Sequence, residues 1–193
     1  MANNNAPFGF SVGGTVNGPV NFSITERKIA STNGTAVFFG DAVVPVTGTP
    51  TGYIKQATAS TVAMAGIFLG CRYFSTALQQ TRWSRYWPGS DATGDVTAFL
   101  CSDPNAQFLV QAGGSHLGFA DIGQNCQLNV GTGNTTTGIS GMFIDTVGTA
   151  NTYPFIILGV PNGATDPDAT LAYNWLTVGF NNMILKTGIT GIS

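Results

Sequence analysis

Charge is the scarcest property of this 193-residue chain. Charged residues make up 8% of it, against about 25% in an ordinary soluble domain, and Glu26 is its one glutamate. Seven Lys and Arg face nine acids, for a formal charge of −2. So few cations cannot lay down a broad basic footprint, so direct nucleic-acid binding is not expected. Nor does such a surface carry the interspersed charge that keeps free monomers apart. Thr, Ser, Asn, Gln and Gly must cover it instead, which suits a molecule packed against copies of itself or on a larger assembly.

Histidine and cysteine are nearly as scarce. His116 is the one histidine, and Cys71, Cys101 and Cys126 are the three cysteines. An odd count without C-x-x-C spacing argues against a disulfide framework and against zinc. The thiols read as buried small hydrophobes in a chain made in a reducing cytoplasm, and no cofactor or metal is expected. No apolar run approaches the roughly 18 residues of a membrane span. The opening MANNNAPFGF has neither the basic nor the apolar region of a signal peptide, so no membrane partner is expected.

Turn formers and short β-prone runs are what the chain has in quantity. Gly occurs 26 times and Pro nine, and Val/Ile/Phe/Thr-rich runs of a few residues lie between them. No sustained 3.6-residue apolar stripe competes with that pattern. The expectation is an all-β fold, a sandwich or barrel of short antiparallel strands with at most one short helix. Residues 1–21 read as an extended N-terminal arm outside the core. Residues 22–193 read as one all-β domain with an aromatic and Arg-rich excursion at 72–90. FFGDAVV (38–44) predicts a tight corner, with Gly40 free to take positive φ and Asp41 bonding its own backbone. VAMAGIFLGCRYF (62–74) predicts a buried strand bent at Gly66 and Gly70. TALQQTRWSRYW (76–87) fits either the one helix or a hairpin. DVTAFLCSDPNAQFLVQAGG (95–114) alternates on both sides of an Asp-Pro-Asn corner and predicts a hairpin.

Reactive constellations are hard to find. Ser115 and His116 are sequence neighbours, which puts them on opposite faces of extended chain and argues against a nucleophile–base pair. Asp166 and Asp168 share a Pro-containing loop, where carboxylates are usually only solvated. GTGNTTTG (131–138) lacks the G-K-[ST] and the following helix of a phosphate loop. Arg72, Arg82 and Arg85 with Tyr73, Trp83, Tyr86 and Trp87 have the composition of a protein-binding hot spot or of a core aromatic cluster.

The opening MANNNAPFGF (1–10), FFGDAVV (38–44), GIFLGCRYF (66–74), YWPGS (86–90), DVTAFLCSDPNAQFLVQ (95–111), IGQNCQLNVGTGN (122–134), GMFID (141–145) and PFIILGV (154–160) together resemble the head decoration (cement) proteins of tailed bacteriophages, nearly end to end. The resemblance implies a non-enzymatic virion component, made in the bacterial host cytoplasm and bound to the outer surface of the head. Its partners would be the major capsid protein, whose neighbouring subunits it bridges, and copies of itself as a trimer. Two segments are the expected contacts. One is the arm, where Pro7, Phe8, Phe10 and Val12 would fill pockets of a neighbour. The other is Arg82, Trp83, Arg85, Tyr86 and Trp87. The competing expectation is a β-sandwich carbohydrate- or receptor-binding module of a phage tail or fibre, with exposed Trp and Tyr stacked on sugar rings.

Overall fold

The computed structural model describes residues 3–15, 24–48, 52–161 and 172–186. The loop holding Asp166 and Asp168 lies outside them. The fold is all-β, two antiparallel sheets in a sandwich-like arrangement. One sheet runs, in spatial order, β1 (Ser11–Thr15), β8 (Ala106–Gln111), β12 (Trp175–Phe180), β11 (Phe155–Gly159), β9 (Asn125–Asn129) and β10 (Phe143–Gly148). The other runs β2 (Ile24–Ile29), β7 (Val96–Cys101), β5 (Gly66–Ser75), β3 (Ala42–Pro45) and β4 (Ile54–Gln56). A further strand, β6 (Gln80–Ser84), pairs with the second half of β5. The short helix considered for 76–87 is therefore a hairpin, turned at Thr76–Gln79. Among the described residues the helical content is one 3-10 turn at Phe119–Asp121.

Strand alternation builds two cores. Phe108, Val110, Leu176, Val178, Phe155 and Ile157 point from the first sheet toward Ala42, Val44, Ile67 and Cys101 of the second. The far face of the second sheet buries Ile29, Val43, Phe68, Cys71, Trp87, Val96, Ala98 and Leu100. That sheet curls around this second core until Tyr53, beside β4, bridges to Lys28 of β2. Closure of this kind covers backbone edges that would otherwise be open. β5 serves both cores, and its register slips between Phe68 and Gly70. Alternation turns Ile67 to one core and Phe68 to the other, and the bulge then keeps Cys71 and Tyr73 on the face of Phe68.

The two halves of residues 95–114 do not pair with each other. β7 lies between β2 and β5, whereas β8 lies between β1 and β12 in the opposite sheet. The corner itself forms as expected: Asn105 N donates to Asp103 Oδ1 at 2.8 Å and Ala106 N to the Asp103 carbonyl at 3.1 Å. It is an arch between layers, not a hairpin. β7 buries Val96, Ala98 and Leu100 in the second core, and only its last residue, Cys101, reaches the first. Crossing over puts Phe108 and Val110 across the core from Cys101 rather than beside it.

The expected arm is also corrected. Among its described residues, 3–15, β1 pairs with β8, and Phe10 is fully buried in the inter-sheet core. Its ring stacks on Phe155 at 4.4 Å and meets Phe108 edge-on at 6.4 Å. Val12 packs against the same core. Phe10 and Val12, which suggested pockets on a neighbour, instead fill the chain's own core, while Gly9 at φ +72° turns Phe8 away from them.

Candidate interaction surfaces

A buried carboxylate organises one end of the sandwich. Gly40 takes φ +88°, as its corner requires, and Asp41 follows it inside the fold. Asp41 Oδ2 accepts from Phe38 N and from Gln56 Nε2, both at 2.8 Å, and Oδ1 accepts from Ser140 Oγ at 2.5 Å. Burial pushes the Asp41 carboxyl above its ordinary pKa, against the pull of these three hydrogen bonds. The corner carbonyl of Gly40 accepts from Phe10 N at 2.9 Å. Gly9, at φ +72°, lies so close that a Cβ there would sit 2.5 Å from Ser140 Cβ. One node thus ties the N-terminal segment, the 38–41 corner, β4 and the approach to β10.

From this node the N-terminal segment crosses the outer face of the first sheet. Gln111, facing outward from β8, accepts from Ala6 N at 3.0 Å and donates to the Asn4 carbonyl at 2.8 Å. Asn3 Nδ2 donates to Asn174 Oδ1 at 2.7 Å. Phe8 meets Trp175 edge-on at 5.5 Å. Trp175 is 52% exposed, and Leu158, lying over Gly179 of β12, is 39% exposed. Leu109, half-buried on β8, lies on the same outer face, paired with Thr177 of β12. Alternation of LTVGF hid this face: Leu176, Val178 and Phe180 turn inward, so Trp175 must turn outward.

The aromatic–Arg segment divides. Trp87 is fully buried in the second core, edge-on to Tyr73 at 5.1 Å, with Nε1 donating to the Asn33 carbonyl at 3.2 Å. It is unavailable to a partner because a bridge between Val37 and Trp87 seats it beneath the 33–39 loop. Tyr86 is half-buried and stacks on Phe38 at 5.4 Å. Arg85, exposed, lies over the Phe39 ring at 4.7 Å. Arg82 is exposed, on the edge strand β6. Trp83 is 68% exposed. It stacks on Phe99 of β7, centroids 5.4 Å apart and planes within 6°, and the Arg72 guanidinium lies 5.5 Å from its centroid. Register places Trp83, Arg72, Thr97 and Lys28 in one row across four strands. Lys28 Nζ donates to Thr97 Oγ1 at 2.8 Å. Sequence reasoning missed Phe99 and Lys28 here, although two-residue periodicity in ITERKI and VTAFLC could have put both outward.

His116 is exposed, while Ser115 Oγ sits 2.8 Å from Asp145 Oδ1 and 2.9 Å from its carbonyl. The three cysteines are buried and unpaired. Burial pushes the Cys71 thiol up to about 12 and Cys101 up to about 11, and raises Cys126 further. Thiolate nucleophiles need the opposite shift. A groove of about 420 Å³ beside β3 and β4 is lined by Pro45, Lys55, Thr61, Val62 and Ile184 among others, and Lys55 is its one charged residue among those described. No protein-family model, curated protein or solved structure matches the chain.

Proposed function

We propose that this protein is a non-enzymatic decoration protein of a phage head, bound to the outer capsid surface and bridging neighbouring major capsid subunits. The resemblance of its motifs suggests the class. The observation that carries the reading is the group of apolar side chains Phe8, Trp175, Leu109 and Leu158 on the outer face of the first sheet, in a body that is 8% charged. Contiguous exposed apolar side chains mark surfaces that other proteins cover. A flat face held by β-structure loses little entropy on docking. Each contact is small, and many copies on one lattice make the attachment firm. Copies of the chain sit around symmetric lattice points, a trimer at a three-fold site, so each bridges several capsid subunits.

This face replaces the freely reaching arm as the docking element. Phe8 contributes to it, while Phe10 and Val12 act by fixing Phe8 in place. Purified heads stripped of this protein and titrated with Phe8→Ser/Trp175→Ser should reach half occupancy only at a concentration at least about tenfold above wild type. The variant's melting temperature should stay near that of the parent, because both side chains are at the surface. Unchanged occupancy would reject this face as the docking element. Heads as resistant to heat without the protein as with it would reject the decoration role.

A further inference from the structure

The Trp83 face lies away from the Phe8–Trp175 pair and has a different chemistry. Five of the chain's seven cations, Arg27, Lys28, Arg72, Arg82 and Arg85, fall on β2, β5, β6 or the residue after β6, and Glu26 is the one acid on those strands. Two of the five, Lys28 and Arg72, stand in the outward row with Trp83. The Arg72 guanidinium lies 5.5 Å from the indole centroid, and a guanidinium can grip a carboxylate with two parallel hydrogen bonds. Lys28 is held by its bond to Thr97. Glu26, opposite Phe99, adds an acceptor. Phe74, 40% exposed, stands two residues along β5 from Arg72 on the same face.

We infer that this face binds an acidic saccharide, a chain of pyranose rings bearing carboxylates. Open aromatic rings pack on the apolar faces of sugar rings. Sugar hydroxyls need donors and acceptors side by side, which Arg72, Lys28 and Glu26 supply. On this face Lys28 and Arg72 outnumber Glu26 by one, a balance that favours an anionic chain over a neutral one. A protein partner fits less well. Its interface needs about 800 Å² from each side around an apolar centre, whereas the exposed apolar groups on this face, Trp83, Phe74, Ile24 and part of Phe99, are spread over four strands among Arg72, Lys28 and Glu26. That footprint suits a few sugar rings.

The test titrates the whole protein with polygalacturonate, dextran, heparin and poly-glutamate at about 0.15 M salt. Polygalacturonate should bind and dextran should not. Trp83→Ala and Arg72→Gln should each weaken polygalacturonate binding by about tenfold or more while the melting temperature holds. Heparin binding more tightly than polygalacturonate would assign the face to sulfate and overturn the carboxylate preference. Poly-glutamate binding as tightly as polygalacturonate, with Trp83→Ala without effect, would make it an acidic-protein surface and overturn the inference. So would no polygalacturonate binding at all. Phe8→Ser/Trp175→Ser should leave polygalacturonate binding intact, which separates this face from the capsid-docking face.

Discussion

Asp41 is the residue whose chemistry most shapes this fold. It is buried with three hydrogen-bond donors and no cation among its described partners. Its folded pKa lies above the unfolded value, so the native state holds the proton more tightly. The stability that this linkage contributes is complete below the ordinary carboxylate pKa and fades as pH rises through the folded value. Asp91 works in the opposite sense: the Ala77 N–H and the Ser75 and Thr76 hydroxyls hold its carboxyl down, so its contribution is lost as pH falls. Comparison with Asp41→Asn isolates the buried group. The difference in unfolding free energy, wild type minus variant, should grow as pH drops from 8 toward 4, and a difference flat with pH would contradict this account. Asp41→Ala, which strands three donors, should cost about 2–3 kcal/mol in urea unfolding at pH 8 and more toward pH 4, because it too removes the titrating group. Two tryptophans four residues apart should diverge as sharply. Trp87→Ala should cost about 3–5 kcal/mol, whereas Trp83→Ala should stay within about 1 kcal/mol because its ring is mostly in water.

At the level of elements, periodicity revealed individual strands better than their partners. The corner at Gly40–Asp41, the bent strand at Gly66–Ser75 and the Asp103 turn all follow from local chemistry that a few residues specify. Pairing is set by which faces must be buried at once, and that information is spread over the chain. β7 and β8 show this: each alternates properly, yet β7 takes β2 and β5 as neighbours while β8 takes β1 and β12 in the other sheet. The same gap hid the N-terminal segment, whose Phe10 finds Phe155 only in three dimensions. Of the contact residues expected from sequence, Phe8 and Trp83 emerge on open faces while Phe10 and Trp87 do not, and no local pattern distinguishes them. Two variants test the segment as a docked element. Gly9→Ala must push against Ser140 and the Gly40 carbonyl at a positive φ, and Phe10→Ala empties a site in the inter-sheet core. Phe10→Ala should cost about 3–5 kcal/mol. Both should raise proteolysis before residue 15 and slow binding to heads through the loosened Phe8. Wild-type protease resistance in both would show that the segment is not held as described.

For the whole molecule, the two sheets present different surfaces: an apolar group on one, and an aromatic face set among cations on the other. A weakly charged body offers little long-range repulsion between such surfaces. The N-terminal segment belongs to this scale as well, since its partners come from far along the chain. Asn3 bonds Asn174, Phe8 meets Trp175, Phe10 meets Phe155, and β1 pairs with β8. During synthesis these early residues cannot complete their docking until β12 has left the ribosome, and native contacts this distant in sequence form slowly. Until β8 and Phe155 have followed, β1 and the ring of Phe10 stay uncovered, open to the same elements of a neighbouring nascent chain. Each copy finished on a crowded polysome therefore has a choice between closing on itself and trading its first strand with a sister.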